Sequence, residues 1–225
     1  MTQIVPAIIP KYFKQLEEEV NKVKEYASLV QVDITDGVFT KHKTWPYVGD
    51  TGEFAKLVGE ELGLPSWEDV DYEMHLMIEH PETVVEDWIK AGASSIVVQI
   101  ETVEDTAEHM EAIIEMCKAS EVLIGLAIKP STQTGRLAPY GDRIDFIQCM
   151  GSDDLGHHGV ELDQTIYERL KELRKIYPDM TLAVDIGVNE DTAEELVKAG
   201  ATKLVAGHAV FENGNVEEAI QGLEN

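Results

Sequence analysis

Basic residues are scarce in this chain: 18 Lys and Arg stand against 43 Asp and Glu in 225 residues, a formal net charge of −25. A surface of that sign repels duplex nucleic acid and anionic membranes, so neither is expected as a partner. Any bound anion must then be held by local devices, such as backbone N–H groups, rather than by the global field. Cysteine is nearly absent. Cys117 and Cys149 form neither a metal-type CxxC pair nor a disulfide framework. No apolar run approaches the ~18 residues that cross a bilayer. The opening MTQIVPAII lacks the basic and long apolar regions of a secretory signal, so a soluble cytoplasmic protein is the expectation. No Pro/Gly/Ser-rich linker divides the chain, which favours one domain over residues 1–225. No GxGxxG follows the first strand-like run, which argues against an open dinucleotide-binding sheet.

What is present is a rhythm. Hydrophobic residues make up 44% of the chain, enough for a substantial core. Short β-branched runs recur at 4–9, 29–35, 72–78, 95–100, 122–128, 146–151, 181–186 and 203–208. Their near-continuous hydrophobicity is that of parallel strands covered on both faces. Glu/Lys/Ala/Leu-rich helical patterns lie between them, at 12–26, 53–62, 82–91, 103–119, 163–176, 191–199 and 216–223, with a weaker one at 132–140. Ala91-Gly92 and Ala199-Gly200 read as helix ends, Pro81-Glu82 and Asn189-Glu190-Asp191 as helix starts. Eight alternating strand–helix units predict an α/β fold closed into a (β/α)₈ TIM barrel. The longest irregular stretch, 37–52, is then a βα loop on the active face. Its Trp45-Pro46-Tyr47 reads as exposed, either a lid over the site or a contact surface.

Barrel enzymes carry their chemistry at the C-terminal ends of the strands. Those ends hold Gln31, Asp33 and Thr35 on the second strand, His75 and Met77 on the third, and Gln99 and Glu101 on the fourth. Lys129 ends the fifth, Gln148 and Met150 the sixth, Asp185 the seventh, and Gly207-His208 the eighth. Alternate strand residues point the same way, so Gln31, Asp33 and Thr35 share a side, expected to be the interior. Asp33, His75 and Asp185, with the Gln31 amide oxygen, would suit a divalent metal: zinc, iron, manganese or cobalt. A lone strand histidine is more often a core residue, and a lone strand-end aspartate a cap. Three such residues at three strand ends weigh against that plainer account.

The chain resembles the ribulose-phosphate 3-epimerase family nearly end to end. The resemblance runs through PAIIP at 6–10, VQVDITDGVF at 30–39, HLMIEHPE at 75–82, WIKAGA at 88–93, VDIGVNEDTA at 184–193 and AGATKLVAGHAVF at 199–211. It implies a metal-assisted, two-base proton transfer at C3 of a ketose 5-phosphate. Asp33 and Asp185 would be the acid and base, His75 a metal ligand, and Met77 and Met150 pocket-lining methionines. A carbon acid beside a carbonyl is weak, so a Lewis acid is needed, and inversion needs proton carriers on both faces. The resemblance also implies a homo-oligomer.

The departures fall in the site. A second metal-ligand histidine of the family is Gln31 here, a first-strand serine is Ala7, the methionine of a VMDG turn is Thr35, and a fifth-strand asparagine is Lys129. The phosphate loop after strand six reads Leu155-Gly156-His157-His158-Gly159-Val160, the DGG after strand seven is Asp185-Ile186-Gly187, and the glycine-serine after strand eight is Gly207-His208. Glycines in such loops let backbone approach an anion, and Ile186 adds bulk there. His157, His158 and His208 offer ring N–H groups in exchange. Three readings follow: an epimerase of a sugar phosphate; a Schiff-base, aldolase-like enzyme using Lys129; or a non-catalytic barrel that binds a ligand or partner.

Overall fold

The computed structural model describes residues 2–103, 107–157, 159–212 and 214–224. Eight parallel strands close into a barrel in sequence order. They are β1 (Gln3–Ile8), β2 (Leu29–Thr35), β3 (Asp71–Met77), β4 (Ser95–Gln99), β5 (Leu123–Ile128), β6 (Phe146–Met150), β7 (Thr181–Asp185) and β8 (Lys203–Ala206), and β8 pairs back onto β1. The expected strands are all present, with ends shifted by up to two residues.

Each strand sends alternate side chains to opposite faces. Val30, Val32 and Ile34 of β2 join the apolar shell under the helices, while Gln31, Asp33 and Thr35, also buried, alternate with them and face the barrel interior. The shell is completed by helical stripes such as Leu16, Val20 and Val23 of α1 (Phe13–Val23). Among the described residues no helix is long and apolar enough to cross a membrane.

The remaining helices are α2 (Glu53–Val58), α3 (Val85–Lys90), α4 (Ala107–Ala119), α5 (Ile166–Ile176), α6 (Glu190–Ala199), α7 (His208–Phe211) and α8 (Val216–Glu224). Several are shorter than their sequence patterns. The pattern 53–62 stops at Val58, because Gly59 caps it and Glu60 turns to φ 58°. The pattern 82–91 splits into a 3₁₀ turn, Pro81–Thr83, and α3, with Val84 between them at φ −128°. The segment 132–140 yields one 3₁₀ turn, Thr134–Leu137. The eighth run ends early as a strand, and His208 opens α7 instead. By contrast, α6 begins as the sequence suggests, with the Asn189 side chain accepting from the Asp191 and Thr192 amides and Thr192 answering in a capping box.

The N-terminal end of the barrel is closed by an ion pair. Lys203 Nζ lies 2.6 and 2.5 Å from the two carboxylate oxygens of Glu73, which also accepts from Ser95 Oγ at 2.8 Å. The same ammonium sits 4.3 Å above the Phe146 ring. That ring lies across β5, where a Cβ on Gly125 would come within 2.3 Å of it; no larger residue fits.

The long loop 37–52 is stitched to the barrel. Thr44 Oγ1 donates to Asp33 O and accepts from Thr35 N, both at 2.8 Å. Asp36 accepts from the Val38 and Phe39 amides with one oxygen and from the Glu79 amide with the other. It thereby clasps the β2 loop to the β3 loop. The Trp45 expectation fails. Its ring is fully buried among Phe13, Phe54 and Trp88, because the loop folds back between α1 and α3 and hides the indole beside other aromatics. Of the three residues Tyr47 is the exposed one, with Pro46 partly covered.

Candidate active site

Register brings the chemistry together. Asp33 of β2 lies beside His75 of β3, and Asp185 of β7 beside Met150 of β6. His75 Nδ1 is 3.1 Å from Asp33 Oδ1 and 3.5 Å from Asp185 Oδ2. The Gln31 amide nitrogen donates to Asp33 Oδ1 at 2.8 Å and to Asp185 Oδ2 at 3.1 Å. Gln148 Nε2 also donates to Asp185 Oδ2, at 3.1 Å. Gln99 Nε2 meets the far ring nitrogen, His75 Nε2, at 2.9 Å. All six side chains are buried.

Burial raises the Asp33 carboxyl above its usual range, with Asp185 adding to the rise and His75 opposing it. Burial alone would lower the His75 imidazole; hydrogen bonds and charge from Asp185 and Asp33 outweigh it and lift the ring to about 9. Gln99 can serve either state of that ring, offering N–H to the neutral form or, after turning its amide, its unpartnered Oε1 to the imidazolium. The two thiols are pushed up to about 12 by burial, so neither is poised as a nucleophile.

Above this cluster opens a cavity of about 100 Å³. Its lining includes Asp33, Asp185, Met77, Met150, Gly156, His157, Gly159, Gly187, Gly207 and His208. Gln31 lies beneath the two aspartates it bridges. Lys129 is not in the lining: its ammonium sits 4.2 Å over the Phe39 ring, in a separate depression. Its backbone is fixed by Arg169, which donates to Lys129 O, and by Glu101, which accepts from Lys129 N. His158 lies outside the described residues. His157 and His208 each face a carboxylate, Asp154 at 3.1 Å and Glu212 at 3.0 Å.

Sequence reasoning did not assign Gln99 and Gln148 to the centre, though alternation held the signal. Gln148 shares its side of β6 with Met150, and Gln99 its side of β4 with Val97. Charge drew attention to the aspartates, while neutral amides look the same on the page whether they face a core, a ligand or water.

Ile186 is the one β-branched residue among the described residues with a left-handed backbone, φ 77°. Such a conformation costs about 1–3 kcal/mol and persists where its surroundings enforce it. Its side chain packs against the apolar cluster of Met77, Met150 and Leu155 beside the cavity. Ile186→Gly is expected to tighten binding of inorganic phosphate several-fold, read by calorimetry, because backbone then becomes approachable. Stability should fall modestly, since relieved strain is offset by a freer unfolded chain and the contacts with Met77, Met150 and Leu155 are lost. Weaker phosphate binding would show that the isoleucine shapes the pocket for its ligand.

Asp33, His75 and Asp185 offer ligand atoms all within 4.8 Å of one another. Together with the unpartnered Gln31 Oε1 nearby, this buried group fits a divalent metal ion.

A model of the ribulose-phosphate 3-epimerase family matches residues 3–211. A ribulose-phosphate 3-epimerase of Schizosaccharomyces pombe is 30% identical, the alignment covering 99% of this chain and 92% of that one. The Bacillus subtilis enzyme of the same name is 27% identical over 99% of this chain and 98% of its own. Among solved structures, KGPDC from Streptococcus mutans superposes with a TM-score of 0.75 at 14% identity, covering 99% of this chain and 95% of that one. The 3-hexulose-6-phosphate synthase of Salmonella typhimurium gives 0.70 at 13% identity, covering 99% and 96%. At these identities the two structural likenesses speak for the fold alone.

Proposed function

This chain belongs to the ribulose-phosphate 3-epimerase family, and on that footing we propose that it inverts C3 of a ketose phosphate, ribulose 5-phosphate and xylulose 5-phosphate first among candidates. One observation carries the reading: the Asp33 and Asp185 carboxylates, from β2 and β7, converge on His75 under a cavity of about 100 Å³.

Inversion requires one group to take the C3 proton and another to deliver a proton to the opposite face. Two carboxylates on different strands supply both, and their roles exchange with the direction of reaction. Burial keeps the Asp33 carboxyl able to hold a proton nearer neutrality than a solvated aspartate would. Gln31 and Gln148 donate to the Asp185 oxygen and fix its orientation. Met77 and Met150, both buried, exclude water from the reacting carbons. A divalent cation held by Asp33, His75 and Asp185, with Gln31, would supply Lewis-acid polarisation of the C2 carbonyl and the adjoining hydroxyl. The phosphate would lie at the glycine-bearing loops, Gly156, Gly159, Gly187 and Gly207, with His157 and His208 at its edge.

The test is solvent exchange. Metal-supplemented protein incubated with ribulose 5-phosphate in D₂O should place deuterium at C3 and yield the C3 epimer, followed by proton NMR. No exchange with any ketopentose or ketohexose phosphate would sink the proposal and favour a barrel that only binds its ligand.

A further inference from the structure

Gln31 Nε2, Asp33 Oδ1, Asp185 Oδ2 and His75 Nδ1 converge from three strands. The amide nitrogen is 2.8 Å from the first oxygen, 3.1 Å from the second and 3.4 Å from the ring nitrogen. The ring nitrogen is 3.1 and 3.5 Å from the same two oxygens. Ligand atoms bound to a small divalent cation at about 2.1 Å are themselves about 3.0 Å apart along an octahedral edge and about 3.4 Å along a tetrahedral one. These separations run from 2.8 to 3.5 Å and lie within about 0.2 Å of those two edge lengths. The terminal atom of Gln31 therefore stands at a vertex of a coordination shell.

That vertex carries an N–H donor here, shared between the two carboxylate oxygens. An NH₂ group cannot ligate a metal. The other terminal atom, Gln31 Oε1, is buried with no hydrogen-bond partner, a state that costs free energy and is unusual. Half a turn of the amide exchanges the two atoms and leaves the vertex in place.

We propose that Gln31 is a two-state ligand whose NH₂ group holds Asp33 and Asp185 together in the metal-free protein and whose carbonyl oxygen binds the cation in the loaded one. This rests on the metal reading above and adds a selectivity to it. The donor set becomes three oxygens and one imidazole nitrogen, which favours Mn²⁺ over Zn²⁺ compared with a site holding a second imidazole.

The experiment uses the full chain stripped of metal and titrated with MnCl₂ and with ZnCl₂ by calorimetry, in wild type, Gln31→His, Gln31→Met and Gln31→Glu. Gln31→His should raise Zn²⁺ affinity at least tenfold and Mn²⁺ affinity by less. Gln31→Met, which keeps length and loses the oxygen, should lower Mn²⁺ affinity about tenfold. Gln31→Glu keeps an oxygen but loses both N–H groups, so its metal-free Tm should fall and its gain on adding metal should exceed wild type's. In wild type, the Gln31 side-chain ¹H–¹⁵N pair should move when Zn²⁺ saturates the site. Cation binding that Gln31→Met leaves within twofold, or an amide pair unmoved at saturation, overturns the two-state ligand while sparing the metal reading. A wild type that binds neither cation overturns both.

Discussion

Replacing either aspartate with asparagine should abolish epimerisation, by about 10³-fold or more, yet leave the two variants with opposite residual behaviour. General acid–base groups contribute roughly 10²–10⁴-fold each, and in the proposed mechanism two act in series on one carbon. In Asp185→Asn only Asp33 can exchange a proton, so one C3 epimer should still wash deuterium in from D₂O without inverting. In Asp33→Asn the other epimer should do so. Asparagine retains a carbonyl oxygen in the same volume, so the hydrogen bonds from Gln31 and Gln148 to these positions need only local adjustment. NMR of each epimer separately decides the point. Equal residual exchange of both epimers in one variant would mean that a single group serves both faces, which the two-base account forbids.

The second large effect is on stability, at the far end of the barrel. Lys203→Met should cost about 3–5 kcal/mol, because it strands the Glu73 carboxylate in the interior with only the Ser95 hydroxyl left. Glu73 is 1% exposed and Lys203 3%, so water cannot take the lost partner's place. For a domain of this size that loss corresponds to a Tm drop of roughly 6–20 °C. Adding Glu73→Leu should recover much of it, since an apolar pair of similar volume often matches a buried ion pair. Calorimetric Tm of the single and double variants is the measurement. A single variant within 1–2 °C of wild type would mean that the ammonium contributes little to the fold. Catalysis well below Tm should be unaffected, because Asp33 and Asp185 lie at the opposite ends of their strands.

Much of this was legible before any coordinates. Strand order followed from eight apolar runs, because a strand covered on both faces leaves a continuous hydrophobic signature. The aspartates and His75 stood out because charge at a strand end is rare. Helix lengths were less legible: Glu60 and Val84 break their helices through backbone angles that no composition rule flags. Trp45 read as exposed because polar neighbours surround it in sequence, whereas its true neighbours, Phe13, Phe54 and Trp88, come from three other segments. The glutamines were hidden for a related reason. Gln99 and Gln148 acquire meaning only once register sets them around His75. Lys129 illustrates the converse, a charged residue at a strand end whose ammonium lies over the Phe39 ring.

The Asp36 clasp sets a clock on the mouth of the barrel. One carboxylate engages the amides of Val38, Phe39 and Glu79, so those three protons should trade with solvent together, at the rate at which that single side chain lets go.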